Sequence, residues 1–184
     1  GLWPTGQMLC VIFDEWLFHL LNGPLATNST WLHIWAVASL RPFRLIGGDR
    51  ASREPWRCAL ALCCESRRSW PDAPAASALA RQVWERGINC PPTSSVGRLF
   101  DAAAALLGLG ATQSHEGEAA MALEALARTD GTGIDLPLTW DGDLWRVDWE
   151  PLLPLLLDAA RPIQERASGF HASLANAIAR QAEH

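Results

Sequence analysis

Pro91 and Pro92, followed at once by Thr93-Ser94-Ser95, fix one structural event in this chain: a preceding element stops and a helix begins. Proline is excluded from helix interiors, whereas small hydroxyls at the next positions accept hydrogen bonds from the first free amides. Leu99, Phe100, Ala103, Leu106 and Leu107 then recur at helical spacing, an apolar stripe that has to face a core. The residues around the helix start are of another kind. Ser94, Ser95, a glycine at position 97 that lets a ligand approach the backbone, and Arg98 together suit an anion or phosphate. Asp101, one turn further in, can accept a hydrogen bond from a sugar hydroxyl. The same residues also suit a capped core helix whose Asp merely pairs with Arg98, and spacing alone leaves both readings open.

The chain has 184 residues, 49% hydrophobic and 19% charged, enough for one ordinary domain or a piece of a larger one and too apolar for a disordered tail. A net charge of -5 gives no electrostatic ground for binding nucleic acid. All 15 basic residues are arginines, so a Walker-type lysine is excluded and a phosphate must be met by Arg or backbone amides. The five cysteines, Cys10, Cys58, Cys63, Cys64 and Cys90, form no C-x-x-C pair and are odd in number, which points to reduced, mostly buried thiols. No apolar run reaches membrane length, since the leucines of 152–157 are interrupted by Pro154. With Gly1 first and no signal-like pattern, the chain reads as an incomplete portion of a longer cytoplasmic protein.

Residues 8–13 are a short apolar run ending at Asp14, a buried strand with a carboxylate at its C-terminal edge. Residues 15–36 show no clean period. Gly47-Gly48-Asp49 is a tight turn, and Arg53, Glu54 and Arg57 stand at helical spacing as a local ion-pair network. Pro55 opens a helix carrying Trp56, Ala59, Leu60 and Cys63, expected to end near Pro71. Further helices are expected over 75–86, closed by Gly87, and over 117–128, closed near Gly131, where Glu116 and Glu118 suit the positive end of the helix dipole. Asp141-Gly142-Asp143, between Leu138-Thr139-Trp140 and Leu144-Trp145-Arg146-Val147, has the pattern of a hairpin turn. The last helices are expected over 149–167, kinked or divided by Pro154 and Pro162, and over 170–181. The five histidines show no metal-ligand spacing.

Four blocks stand in the order of one known family: residues 40–57 with Arg41-Pro42-Phe43-Arg44 and Gly47-Gly48-Asp49, the 93–109 stretch, Glu116-Gly117-Glu118-Ala119-Ala120, and Phe170-His171-Ala172-Ser173. Together they resemble the HypF-type carbamoyltransferases of nickel-iron hydrogenase maturation. The resemblance implies a helix-rich α/β fold, part of the duplicated actin-like ATPase architecture shared with the tRNA threonylcarbamoyl transferases. Residues 1–184 would be a partial carbamoyltransferase domain, incomplete at both ends. It implies that ATP and carbamoyl phosphate yield carbamoyl-adenylate, whose carbamoyl group passes to the C-terminal cysteine of a HypE-type partner on the way to the cyanide ligands of the hydrogenase. By the same resemblance Asp101 contacts the ribose or adenine side, Ser94, Ser95 and Gly97 line the nucleotide, Arg98 lies near its phosphate, and Glu116 with Gly117 closes the pocket. Asp14 would be one ligand of a divalent metal, iron or zinc, whose other ligands lie outside this chain; the segment after it departs from the family's glycine-rich continuation. A small-molecule O-carbamoyltransferase and a non-catalytic interaction module of the same family are the alternatives.

Overall fold

The computed structural model describes residues 38–115, 117–128, 130–142 and 144–181. The expected strand at 8–13, Asp14, the stretch 15–36 and Glu116 lie outside the described residues. Helix α1, Trp56–Glu65, carries an unbroken apolar run from Cys58 to Cys64 that is buried at every position, and a run of that kind has to be enclosed. It packs against α3, Val96–Leu106, whose buried run Ala102-Ala103-Ala104-Ala105 consists of small side chains that let neighbouring backbones approach. Helix α2, Ser77–Glu85, covers another side of α1. Beyond α3 lie α4, Glu118–Leu126, then the short α5, Leu152–Leu157, and the long α6, Ile163–Gln181. The mixed helix and strand content is the α/β class expected, with helices dominant. None of the described helices is long and apolar enough to cross a membrane.

The first three helices end alike, on a left-handed residue followed by a bond reaching back across the last turn. Gly87 (φ 67) and Gly108 (φ 76) close α2 and α3, with Ile88 N–H on the Val83 carbonyl at 3.0 Å and Leu109 N–H on Ala104 at 2.9 Å. Helix α1 uses Arg67 (φ 54), with Arg68 N–H on Cys63 at 2.9 Å. It therefore stops at Glu65 and does not run to Pro71 as expected. Sequence gives little warning of a left-handed arginine, because glycine is the usual residue there.

Two small sheets set the ends of these helices. Strand β2, Phe43–Arg44, pairs antiparallel with β3, Pro92–Thr93, and Leu45 N–H continues the ladder onto the Pro91 carbonyl at 2.8 Å. The two prolines thus anchor the start of α3 to the turn at Gly47 and Gly48, whose φ values of 83 and 56 favour glycine. The second sheet has the order β1-β5-β4, from Ala38–Leu40, Trp145–Val147 and Leu138–Trp140. β1 and β5 are parallel, and Trp149 closes that junction by donating to the Arg41 carbonyl at 2.7 Å while the Arg41 guanidinium stacks on its ring.

The expected hairpin forms, with Trp140 opposite Trp145 and Gly142 at φ 105. A Cβ at Gly142 would meet nothing within 4 Å, so backbone strain is the whole penalty there. Gly142→Val is expected to lower stability by about 1 kcal/mol or more. A denaturant midpoint equal to that of the parent would contradict this.

Two expected boundaries shift. Helix α4 ends at Leu126, and Arg128 and the stretch 130–136 lie against the small-residue face of α6. Ser168 Oγ accepts from Arg128 N–H at 2.8 Å and Ser173 Oγ accepts from Ile134 N–H at 2.9 Å, so helix side chains take the place of a partner strand. Gly131 does not close α4 but permits contact: a Cβ there would stand 2.6 Å from Ser168 Cβ, and one at Gly133 2.7 Å from Ser173 N. The division between the last helices falls at Asp158 to Pro162, and α6 continues through Gly169, where the missing side chain makes room for Leu155.

Candidate functional site

At the start of α3 the hydroxyls work first for the helix. Thr93 Oγ1 accepts from Ser95 N–H and Ser95 Oγ accepts from Arg98 N–H, each at 3.2 Å, while Ser94 is exposed. Gly97 is half-buried in the first turn. Arg98 turns inward to Asp101, Nη1 to Oδ2 2.8 Å, with 13% and 3% of the two side chains exposed. Asp101 is therefore neither a solvated helix residue nor a carboxylate displayed in an open pocket. A sugar hydroxyl reaches it only by sharing it with its present partners.

The other carboxylate oxygen, Oδ1, lies 3.5 Å from Gln113 Nε2, which also donates to the Ser52 carbonyl. Gln113 Oε1 accepts from Ala119 N–H at 3.2 Å, inside the first turn of α4. Thus Arg98, Asp101 and the start of α4 are brought together through a residue that the sequence did not single out. Gln113 sits in a polar loop between two helices, and nothing local marks it for burial.

Helix α4 starts at Glu118, within a residue of the expected start, on the left-handed N-cap Gly117 (φ 81), which has no side-chain cap. The Glu118 carboxylate folds back onto Ser114, accepting from its N–H at 2.6 Å and its hydroxyl at 2.8 Å, and those bonds hold its pKa below the usual range. His115 Nδ1 lies 3.6 Å from the same carboxylate.

The ion-pair network beside Gly47 has a different membership from that expected. Glu54 pairs with Arg57 at 2.5 Å and with Arg50 at 2.8 Å, whereas Arg53 gives its carbonyl to Gln113 N–H at 3.0 Å. Burial alone would raise the Glu54 pKa, but the hydrogen bonds from Arg57 and Arg50 outweigh it and hold the group below its ordinary 4.5. A carboxyl lowered on folding adds stability that is full above its unfolded pKa and is lost as pH falls through the folded value. The slope of stability against pH below 4.5 is accordingly expected to be shallower in Glu54→Gln than in the parent. Identical slopes in urea titrations would remove Glu54 from the acid response.

The described cysteines, Cys58, Cys63, Cys64 and Cys90, are free thiols, the first three buried. Burial, and then the Cys64 neighbour, pushes the Cys63 thiol up to about 12; burial and the Asp101 charge push Cys58 up as well. Neither supplies a thiolate nucleophile at neutral pH. Among the described residues no group of three or more His, Cys, Asp or Glu side chains could hold a metal. A cavity of about 660 Å³ opens between the 130–132 stretch and the first turn of α6, lined by Arg128, Asp130, Arg161, Gln164, Glu165 and Ser168. None of the expected site residues among the described ones lines it.

Residues 28–184 match the family described as carbamoyltransferase, Kae1-like domain, second subdomain. The chain belongs to this family. Carbamoyltransferase HypF of Rhodobacter capsulatus is 48% identical over 153 residues, covering 79% of this chain and 20% of that protein. The HypF of Rhizobium leguminosarum bv. viciae is 38% identical over 155 residues, 80% of this chain and again 20% of the relative. The chain thus spans about a fifth of the length of these HypF proteins. Its fold is that of two solved structures. Full-length HypF in a phosphate- and nucleotide-bound form matches at TM-score 0.70 and 22% identity, over 80% of this chain and 24% of that one. T. kodakarensis HypF matches at TM-score 0.62 and 27% identity, over 79% of this chain and 22% of that one. The resemblance carried by the four sequence blocks is a true family membership, and the Kae1-like fold that it implied holds for the described part.

Proposed function

We propose that this chain forms the nucleotide side of a carbamoyltransferase that uses ATP and carbamoyl phosphate, and that the transferred group passes from carbamoyl-adenylate to the C-terminal cysteine of a HypE-type partner. The observation that carries the reading is the convergence of Arg98, Asp101 and the start of α4 through Gln113. A nucleotide needs a cation for phosphate, an acceptor for the ribose hydroxyls, and helix starts whose amides favour negative charge. Those groups stand next to one another here, although they come from two helices.

In this arrangement Arg98 divides its guanidinium between Asp101 and the phosphate, which five N–H donors in a planar fork allow. Asp101 accepts from the ribose, Ser94, Ser95 and Gly97 line the phosphate side, and Gly117 with Glu116 covers the sugar. The adenylate supplies an activated carbamoyl carbon. As the thiolate sulfur bonds to that carbon, the carbon–oxygen bond to the phosphate breaks and AMP leaves with the electron pair. Arg98 and the helix starts stabilise the charge that grows on the leaving phosphate. The divalent metal, iron or zinc, would be held by Asp14 together with ligands outside this chain; among the described residues no group of three or more such side chains could hold it.

The acceptor is tested by supplying the intact protein with ATP, carbamoyl phosphate and either a peptide ending in the partner's cysteine or small alcohols. Carbamoylation of the cysteine peptide, abolished by a serine in its place, is expected. Transfer to alcohols and not to the thiol would favour the O-carbamoyltransferase reading.

A further inference from the structure

Gln113 is 9% exposed and its amide joins three elements that are separate in sequence. Nε2 donates to the Ser52 carbonyl, ending the 3-10 turn Gly48–Ser52, and to Asp101 Oδ1 in α3; Oε1 accepts from Ala119 N–H in α4. The orientation of the amide is determined, because both groups at the nitrogen are acceptors and the group at the oxygen is a donor. A reversed amide would lose all three bonds. Asp101 is consequently held from two sides, Arg98 at Oδ2 and Gln113 at Oδ1, which fixes the rotation of its carboxylate. Since the same amide holds the first turn of α4, the distance from that carboxylate to the Gly117 turn is fixed as well.

We propose that Gln113 is the positioning residue of the nucleotide site: it sets the rotation of the Asp101 carboxylate and its distance from the start of α4, and it acts on the nucleotide through Asp101. This rests on the nucleotide reading above. The neighbouring charged groups do not replace it. Arg98 occupies the other oxygen, the Cys58 thiol on α1 is neutral, and Glu118 is engaged by Ser114. A side chain of similar length without a donor would take away the contact at Asp101 Oδ1, loosening the carboxylate's rotation, and would strip Ala119 N–H of its acceptor.

The test is a double-mutant cycle read by calorimetric ATP titration of the intact protein, at a temperature where denaturation curves show every form folded. Gln113→Met is expected to weaken ATP binding about tenfold in the parent and less than about twofold when Asp101 is already Asn, because the two positions form one unit. Gln113→Glu keeps the length and the acceptor toward Ala119 but sets a carboxylate against Asp101, so it serves the same cycle if the Met variant does not fold, with an equal or greater loss expected. The same loss in both backgrounds would make Gln113 a support of the fold alone and overturn the inference. Unchanged affinity at position 113 beside a weakened Asp101→Asn overturns it while the nucleotide reading stands; unchanged affinity in every variant overturns both.

Discussion

Phe100→Ala is expected to lower the unfolding free energy by about 3–5 kcal/mol, the loss typical of deleting a buried aromatic ring. Phe100 is 3% exposed, and its ring meets Phe170 edge-on at 5.0 Å and His171 at 5.4 Å. The substitution removes the contact by which α3 grips α6. Little can collapse into the space, because the following residues Ala102, Ala103 and Ala104 are small and already fully buried. The guanidinium midpoint should fall while the slope stays that of the parent. An unchanged midpoint would put the ring outside the core.

Arg98→Ala is expected to cost about as much, on the order of 3–5 kcal/mol, for an electrostatic reason. Its partner Asp101 has 3% of its side chain exposed, so removing the guanidinium strands a carboxylate that water cannot reach. Gln113 at 3.5 Å is a neutral donor and compensates only in part. The mechanism separates from simple loss of packing by replacing both partners. Arg98→Met combined with Asp101→Leu removes the charge pair and keeps volume, and it should recover most of the stability that the single variant loses. If the double variant is as unstable as Arg98→Ala, the loss comes from packing and not from the orphaned charge.

Features written in adjacent residues are legible in the sequence itself. The stop at Pro91 and Pro92, the Ser95 cap and the stripe through Phe100 and Leu107 are local, and α3 begins and packs as they indicate. The hairpin at Gly142 and the close of α2 at Gly87 belong with them. Whatever depends on a distant partner is not legible there. Arg128 and Ile134 are held against α6 because Ser168 and Ser173, some 40 residues away, accept their amides, so Gly131 has the local pattern of a helix end although it is a contact point. Gln113 gains its role from Ser52, 61 residues earlier. Of the candidate site the residue types are legible. The inward turn of Arg98 and the burial of Asp101 are not, because i,i+3 spacing is equally compatible with a solvated pair.

The nucleotide reading is tested most directly by titrating ATP calorimetrically into the intact protein and into its Asp101→Asn variant, well below the melting temperature of either. Asparagine preserves the size of the side chain and removes the charged acceptor. Affinity should fall by about 1.5–3 kcal/mol, roughly 10- to 150-fold, while the variant remains folded though less stable. Equal dissociation constants for the two folded proteins would contradict it and leave the Arg98–Asp101 pair as a structural tie inside α3.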